Sequence, residues 1–283
     1  MCRRFLLFSV VTAASLAAPA FAEDNVPQWM LGVTGGTIRR EGDATRAYGS
    51  VALTRRLERS YVRASVTRFG STVRQVDVTL PSTYTIGFLS AGTTFGHWFV
   101  DGYGAIGTQR YRPINTAIGA RSITGSRNSG VLGAGGDGGY VFWLGRAWSL
   151  SPSASVQYIR SKALREQIGP AGPSEYETRE TGVTFGGTVR LDHFFGADRT
   201  NSAGVHLTRL QTTNASAALS SGTRGALFPG SQSGRGGDGW SEIGGNAAVE
   251  VRRNLYLDLT VSRTWGAEAG DLTTTGLGAR LLF

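Results

Sequence analysis

Leu255-Tyr256-Leu257-Asp258-Leu259-Thr260-Val261-Ser262 is the stretch that decides the architecture. Leu255, Leu257, Leu259 and Val261 fall on one face, and Tyr256, Asp258, Thr260 and Ser262 on the other. A period of two belongs to a strand, because successive side chains leave an extended backbone on opposite sides, whereas a helix repeats every 3.6 residues. The pattern recurs upstream. Trp148, Leu150, Pro152, Ala154, Val156 and Tyr158 oppose Ser149, Ser151, Ser153, Ser155 and Gln157, and Val183, Phe185, Val189 and Leu191 oppose Thr184, Thr188, Arg190 and Asp192. In each case one face is apolar and the other is suited to water.

About twelve such segments follow one another, near 28–38, 46–56, 60–69, 83–92, 97–108, 131–143, 148–160, 181–193, 202–211, 240–251, 254–265 and 272–283. Each runs about 9 to 13 residues, which suits a tilted strand crossing a hydrocarbon layer and exceeds the ~5–6 residues usual in soluble sheets. The connections alternate in length. Tyr111 to Gly130, Ser161 to Glu180 and Thr212 to Gly239 are long and rich in Gly, Ser, Thr, Asn or Pro, while Leu57 to Arg59, Gly145 to Ala147, Phe194 to Asn201 and Arg252 to Arg253 are short. Alternating short turns and long loops are what a transmembrane meander has on its two sides. The expected fold is therefore all-β: one transmembrane antiparallel β-barrel of about twelve strands, with both termini periplasmic. Aromatic residues gather toward the strand ends. Trp98, Phe99, Tyr140, Phe142, Trp143, Trp148, Phe194, Phe195 and Phe283 fall by the short turns, and Phe69, Tyr111, Tyr158, Trp240 and Trp265 by the long loops. Two interfacial girdles are expected from them.

The N-terminus supplies the compartment. Met1-Cys2-Arg3-Arg4, an apolar run from Phe5 to about Ala18, and Ala20-Phe21-Ala22 make a secretory leader cleaved after Ala22. The expected division is a signal peptide over 1–22 and an outer-membrane β-barrel domain over 23–283. Cys2 is the single cysteine, so the mature chain has no thiol for disulfides, metal ligation or nucleophilic attack. The formal charge of +9 falls to +7 when Arg3 and Arg4 leave with the leader, and Lys162 is the lone lysine. In an exported chain, a basic balance points to outer-membrane lipids and lipopolysaccharide rather than nucleic acid.

Two stretches carry a family resemblance. Leu277-Gly278-Ala279-Arg280-Leu281-Leu282-Phe283 ends in an aromatic residue with Leu277, Ala279 and Leu281 on the same side, and looks like the signal read by the barrel-assembly machinery. Gly139-Tyr140-Val141-Phe142-Trp143-Leu144-Gly145, leading through Trp148-Ser149-Leu150-Ser151-Pro152-Ser153-Ala154 to Tyr158, resembles the autotransporter β-domain. That resemblance implies a twelve-stranded barrel of similar length. Only Glu23 to Pro27 separates the cleavage point from the first strand, so a passenger-free barrel is expected.

The candidate chemistry is that of a lumen and a rim. Arg63, Asp101, Asp137, Arg190, Asp192, Glu242, Glu250, Arg252 and Asp258 are assigned to the lumen, where mixed signs on neighbouring strands would pair. Arg110, Arg112, Arg121 and Arg127 around the third long loop have no nearby acid in sequence, and with Arg224 and Arg235 in the fifth they would meet lipopolysaccharide phosphates. His97, His193 and His206 are scattered, the first two near turns and the third directed inward. Neither a Gly-x-Ser-x-Gly elbow nor a His-Glu-x-x-His pair occurs. Gly135-Gly136-Asp137-Gly138 and Gly236-Gly237-Asp238-Gly239 are single fragments of a calcium-type repeat that works only in tandem, so they are read as strand glycines. No metal, cofactor or catalytic group is assigned. The expected function is non-enzymatic, a narrow pore or structural barrel. The alternatives are a translocator lacking its own passenger and an outer-membrane lipid hydrolase.

Overall fold

The computed structural model describes residues 28–74, 78–116, 119–123, 127–169, 172–196, 199–215, 219–222, 226–229, 236–268 and 270–283. The leader assigned to 1–22 and its cleavage point lie outside the described residues, as do Arg224 and Arg235.

In lipid every backbone N–H and C=O must be satisfied within the protein, and only a sheet closed on itself does this without edges. The chain forms such a sheet from twelve antiparallel strands. They are β1 Trp29–Arg40, β2 Arg46–Arg56, β3 Ser60–Arg74, β4 Val78–Phe95, β5 Trp98–Tyr111, β6 Asn128–Tyr140, β7 Trp148–Gly169, β8 Gly172–Phe195, β9 Asn201–Thr212, β10 Asp238–Arg252, β11 Leu255–Trp265 and β12 Leu272–Leu282. Each pairs with the next, and β12 closes on β1 with Met30 opposite Leu282 and Arg40 opposite Leu272. Reciprocal bonds of 2.9 Å between the backbones of Trp29 and Phe283 extend the seam to its end.

Followed across partners from Trp29 at the turn rim of β1, the wall passes Arg55, Val62, Ala91, Gly102, Gly136, Val156, Phe185 and Gln211 to reach Gly239 at the loop rim of β10. The strands are therefore strongly tilted. With ~4.8 Å between strands and ~3.3 Å rise per residue, a ring of this size and climb has a backbone radius of roughly 11–12 Å.

Burial is inverted relative to a soluble protein. On β11, Leu257, Leu259 and Val261 are exposed while Tyr256, Asp258, Thr260 and Ser262 are buried. The same holds for Leu31 and Val33 on β1, Val62 and Val66 on β3, and Val205 and Leu207 on β9, all exposed. Apolar residues thus form a continuous outer belt and polar ones face the lumen, as lipid on one side and water on the other require.

The chain departs from strict alternation where the backbone gives a reason. The sixth strand ends at Tyr140 rather than running to 143. Val141 is buried, and Phe142–Leu144 resumes as a short strand with Phe142 opposite Leu150. The segment Ser161 to Glu180, expected as a loop, is instead a paired continuation of β7 and β8 as far as Gly169 opposite Gly172. Beyond the hydrocarbon neither face need be apolar, so pairing there leaves no alternating signature. Within the third long loop, the hairpin Ile114–Thr116 and Gly119–Arg121 adds to the outer part of β4. In the fifth, the hairpin Leu219–Gly222 and Ala226–Pro229 lies near β11 and β12.

A lumen and two rims as the candidate functional site

Six of the nine lumen assignments, Arg63, Asp101, Arg190, Asp192, Glu242 and Asp258, are inward and buried. Asp137 and Glu250 are inward and half-buried. Arg252 is exposed, because a bulge between Glu250 and Arg252 shifts the register against β11 and ends the alternation one residue early.

The inward charges are mostly paired by short-range geometry. Arg280 of β12 donates from Nε and Nη2 to Asp258 of β11 at 2.7 and 2.8 Å, a two-point grip, and its guanidinium lies 5.1 Å from the Tyr256 ring. Arg190 donates Nε to both carboxylate oxygens of Asp192, two residues along β8, at 2.8 and 2.6 Å. His206 Nε2 is 3.0 Å from Glu242 Oε1. Asn214 Nδ2 donates to Glu180 Oε2 at 3.2 Å. On the opposite wall Asp101 faces Asp137 directly across β5 and β6.

Tyr61 donates its hydroxyl to Asp101 Oδ1 from two strands away. The intervening position on β4 is Gly92. A Cβ there would sit 2.4 Å from the Tyr61 ring and 1.8 Å from the Asp101 oxygen, so glycine is what lets the ring pass over β4.

One part of the lumen is apolar. Ile38, Tyr48, Phe69, Tyr84, Ile86 and Phe88 belong to one inward cluster, with Phe69 and Tyr84 stacked at 5.0 Å. Phe69, Tyr111 and Trp240, expected in an outer girdle, therefore point inward and are buried, as are Phe99 and Phe194 by the short turns. Alternation had already put each on the inward parity, and proximity to a strand end does not override parity. The girdle itself is clearest at the turn rim. Trp98, Phe142, Trp143, Trp148, Phe195 and Phe283 are exposed there, and His97 and His193 stack on Tyr140 and Trp148 at 5.5 and 4.4 Å.

At the loop rim, Arg110, Arg112 and Arg127 are exposed. Arg121 is not without an acid: it pairs with Glu175, carried up by the continuation of β8. The two are 54 positions apart, beyond what local sequence reveals. Leu80, Tyr111, Ile114, Ile123 and Leu164 pack together beneath this loop, and Tyr111 Oη accepts from Leu164 N–H at 3.1 Å while donating to Gln109 Oε1 at 3.0 Å. At the C-terminus, Leu277, Ala279, Leu281 and Phe283 all face outward.

Sequence reading missed Arg56, Glu180, Tyr61 and Arg280 as inward residues. Arg280 was legible from its place between outward Ala279 and Leu281. Among the described residues no three His, Cys, Asp or Glu side chains group as a metal site.

Comparison with known proteins agrees with this geometry. No curated protein matches the chain in sequence. Among solved structures, the translocator domain of the autotransporter NalP from Neisseria meningitidis superposes with a TM-score of 0.67 at 13% identity, over 90% of this chain and 88% of that one. The β-domain of the Bordetella autotransporter BrkA gives 0.62 at 14% identity, over 92% and 100%. An outer membrane channel from Pseudomonas putida F1 gives 0.52 at 10%, over 92% and 97%. The family described as autotransporter β-domain matches residues 27–262, most of the chain, and this protein belongs to it.

Proposed function

We propose that this outer-membrane barrel is a narrow passage for small polar solutes, with the short turns in the periplasm and the long loops outside. The observation that carries the reading is the hydroxyl and charge lining of the lumen from β7 to β12. Ser149, Ser151, Thr184, Thr208, Thr260 and Ser262 are all inward and buried from lipid. Such a lining solvates polar solutes, while the outer belt holds the wall in the bilayer. Planar-bilayer recording of refolded protein tests this: discrete steps of current are expected, and silence at every voltage overturns it.

Membership of the autotransporter β-domain family favours a second reading, passage of a polypeptide. A reporter domain placed ahead of Trp29 separates the two. Its appearance on intact cells supports translocation, and its retention in the periplasm supports the solute pore. In either case the chain works without catalysis. Exposed Arg112 and Arg127 meet lipopolysaccharide phosphates, and Leu277, Ala279, Leu281 and Phe283 present the edge that the assembly machinery reads. Replacing Phe283 by Ser is expected to lower the amount of folded barrel in outer-membrane fractions several-fold.

A further inference from the structure

Arg63 is a buried inward cation outside the pairings of Arg280, Arg190 and Arg121. Its side chain is 3% exposed, and neither Nε nor Nη1 finds an acceptor. Its cross-strand neighbours are Thr54 on β2 and Ser90 on β4, and Ser65 is the next inward residue on β3. All three are buried, and the hydroxyls of Thr54, Ser65 and Ser90 are likewise without partners. Four adjacent side chains therefore converge as donors on one patch of the lumen wall, near the turn rim. The charges nearby are of both signs. Arg280 and Asp258 both act on Arg63 electrostatically, and those two neutralise each other, while Asp101, two strands away on β5, accepts from Tyr61. Arg56 lies within electrostatic reach of Arg280.

Buried guanidinium N–H groups without acceptors are costly, and hydroxyls can turn their protons toward an incoming oxygen. Guanidinium N–H donors beside hydroxyl donors suit the oxygens of a carboxylate or phosphate. We propose that Arg63, with Thr54, Ser65 and Ser90, forms an oxyanion-binding site in the periplasmic part of the lumen, taking the carboxylate or phosphate group of a small solute. The site rests on the lumen geometry and not on the barrel's conducting current, so a silent bilayer experiment leaves it standing.

The test is titration calorimetry on full-length barrel refolded in a maltoside micelle, which carries no phosphate. Inorganic phosphate and succinate are titrated separately, and the responding anion identifies which source of oxyanion the site prefers. Saturable heat is expected, weakened by about tenfold or more in Arg63→Gln and by a smaller factor in Ser90→Ala. Arg146→Gln, in a short turn and exposed, is expected to match the parent. Absence of heat with both anions overturns the proposal and leaves the donors to water. Heat that is unchanged in Arg63→Gln overturns it equally, assigning the binding elsewhere. Should Arg63→Gln fail to refold by heat-modifiable migration, Ser90→Ala and Thr54→Val decide: unchanged affinity in both is the overturning result.

Discussion

At the scale of single residues, most of the lumen's buried charges are tolerated because they have geometrically fitted partners. Asp258 and Arg280 are 3% and 4% exposed at their side chains and joined by two bonds. Removing one partner leaves an uncompensated buried charge, which costs about 3–5 kcal/mol, whereas replacing both with apolar groups of similar volume is often neutral. Arg280→Met alone is therefore expected to lower the urea midpoint of the folded barrel markedly, and the double variant Arg280→Met with Asp258→Leu to recover most of the loss. Equal midpoints for the two variants would show that lumen water, not Arg280, holds the carboxylate. Gly92 gives a second prediction of opposite logic, since nothing is removed. A methyl group at Gly92 collides with Tyr61 and Asp101, and overpacking of this kind costs about 1–3 kcal/mol. Gly92→Ala is expected to fall in that range, and Tyr61→Ala in the same background to relieve part of it.

At the scale of elements, what the sequence made legible was set by where the hydrocarbon lies. Leu255 to Val261 alternates because lipid demands an apolar residue on every second position, and all twelve strands were readable on that ground. Lys162, Arg179 and Glu177 lie above the apolar belt, where no such demand exists. The hairpin they belong to looked like a loop although its pairing continues unbroken to Gly169 and Gly172. The Arg121–Glu175 pair was hidden for the same reason, being made by an extension that alternation does not mark. Arg252 was misplaced by a bulge, a feature of register rather than of composition. The loop rim is held by the cluster around Leu164, so its stability is local. Leu164→Ala removes a buried side chain worth about 2–5 kcal/mol and should loosen the third loop without opening the barrel. Trypsin cleavage after Arg127, which precedes Asn128, is expected to accelerate by an order of magnitude or more, while heat-modifiable migration of the barrel is retained. Unchanged cleavage would mean that the loop is held by its hairpin on β4 alone.

At the scale of the whole molecule, the fold has no apolar centre of the usual kind. Its main apolar surface is outside, and its lumen holds hydroxyls, ion pairs and one aromatic patch. Such a surface has low free energy only where lipid covers it, so the solvent completes the structure. Closure makes this consistent: with β1 bonded to β12, the twelve-stranded wall has no open edge in the bilayer. The energetics should then depend on depth rather than on burial within the protein. Leu259, in the middle of β11, is 56% exposed, and Leu57, in a short turn, is 47% exposed. In water the two would respond alike to substitution by arginine. In a bilayer, arginine at the midplane costs about 2–4 kcal/mol and near the interface about 0–1. Leu259→Arg is therefore expected to shift denaturant-monitored folding into phosphatidylcholine vesicles by several times as much as Leu57→Arg. Thr260→Arg, one residue along and facing the lumen, should follow the lumen's own charge balance instead of the depth rule. Equal penalties for Leu259→Arg and Leu57→Arg would remove lipid from the account of the fold. Unequal ones locate the bilayer along β11 and tie the alternation of eight residues to the medium that requires it.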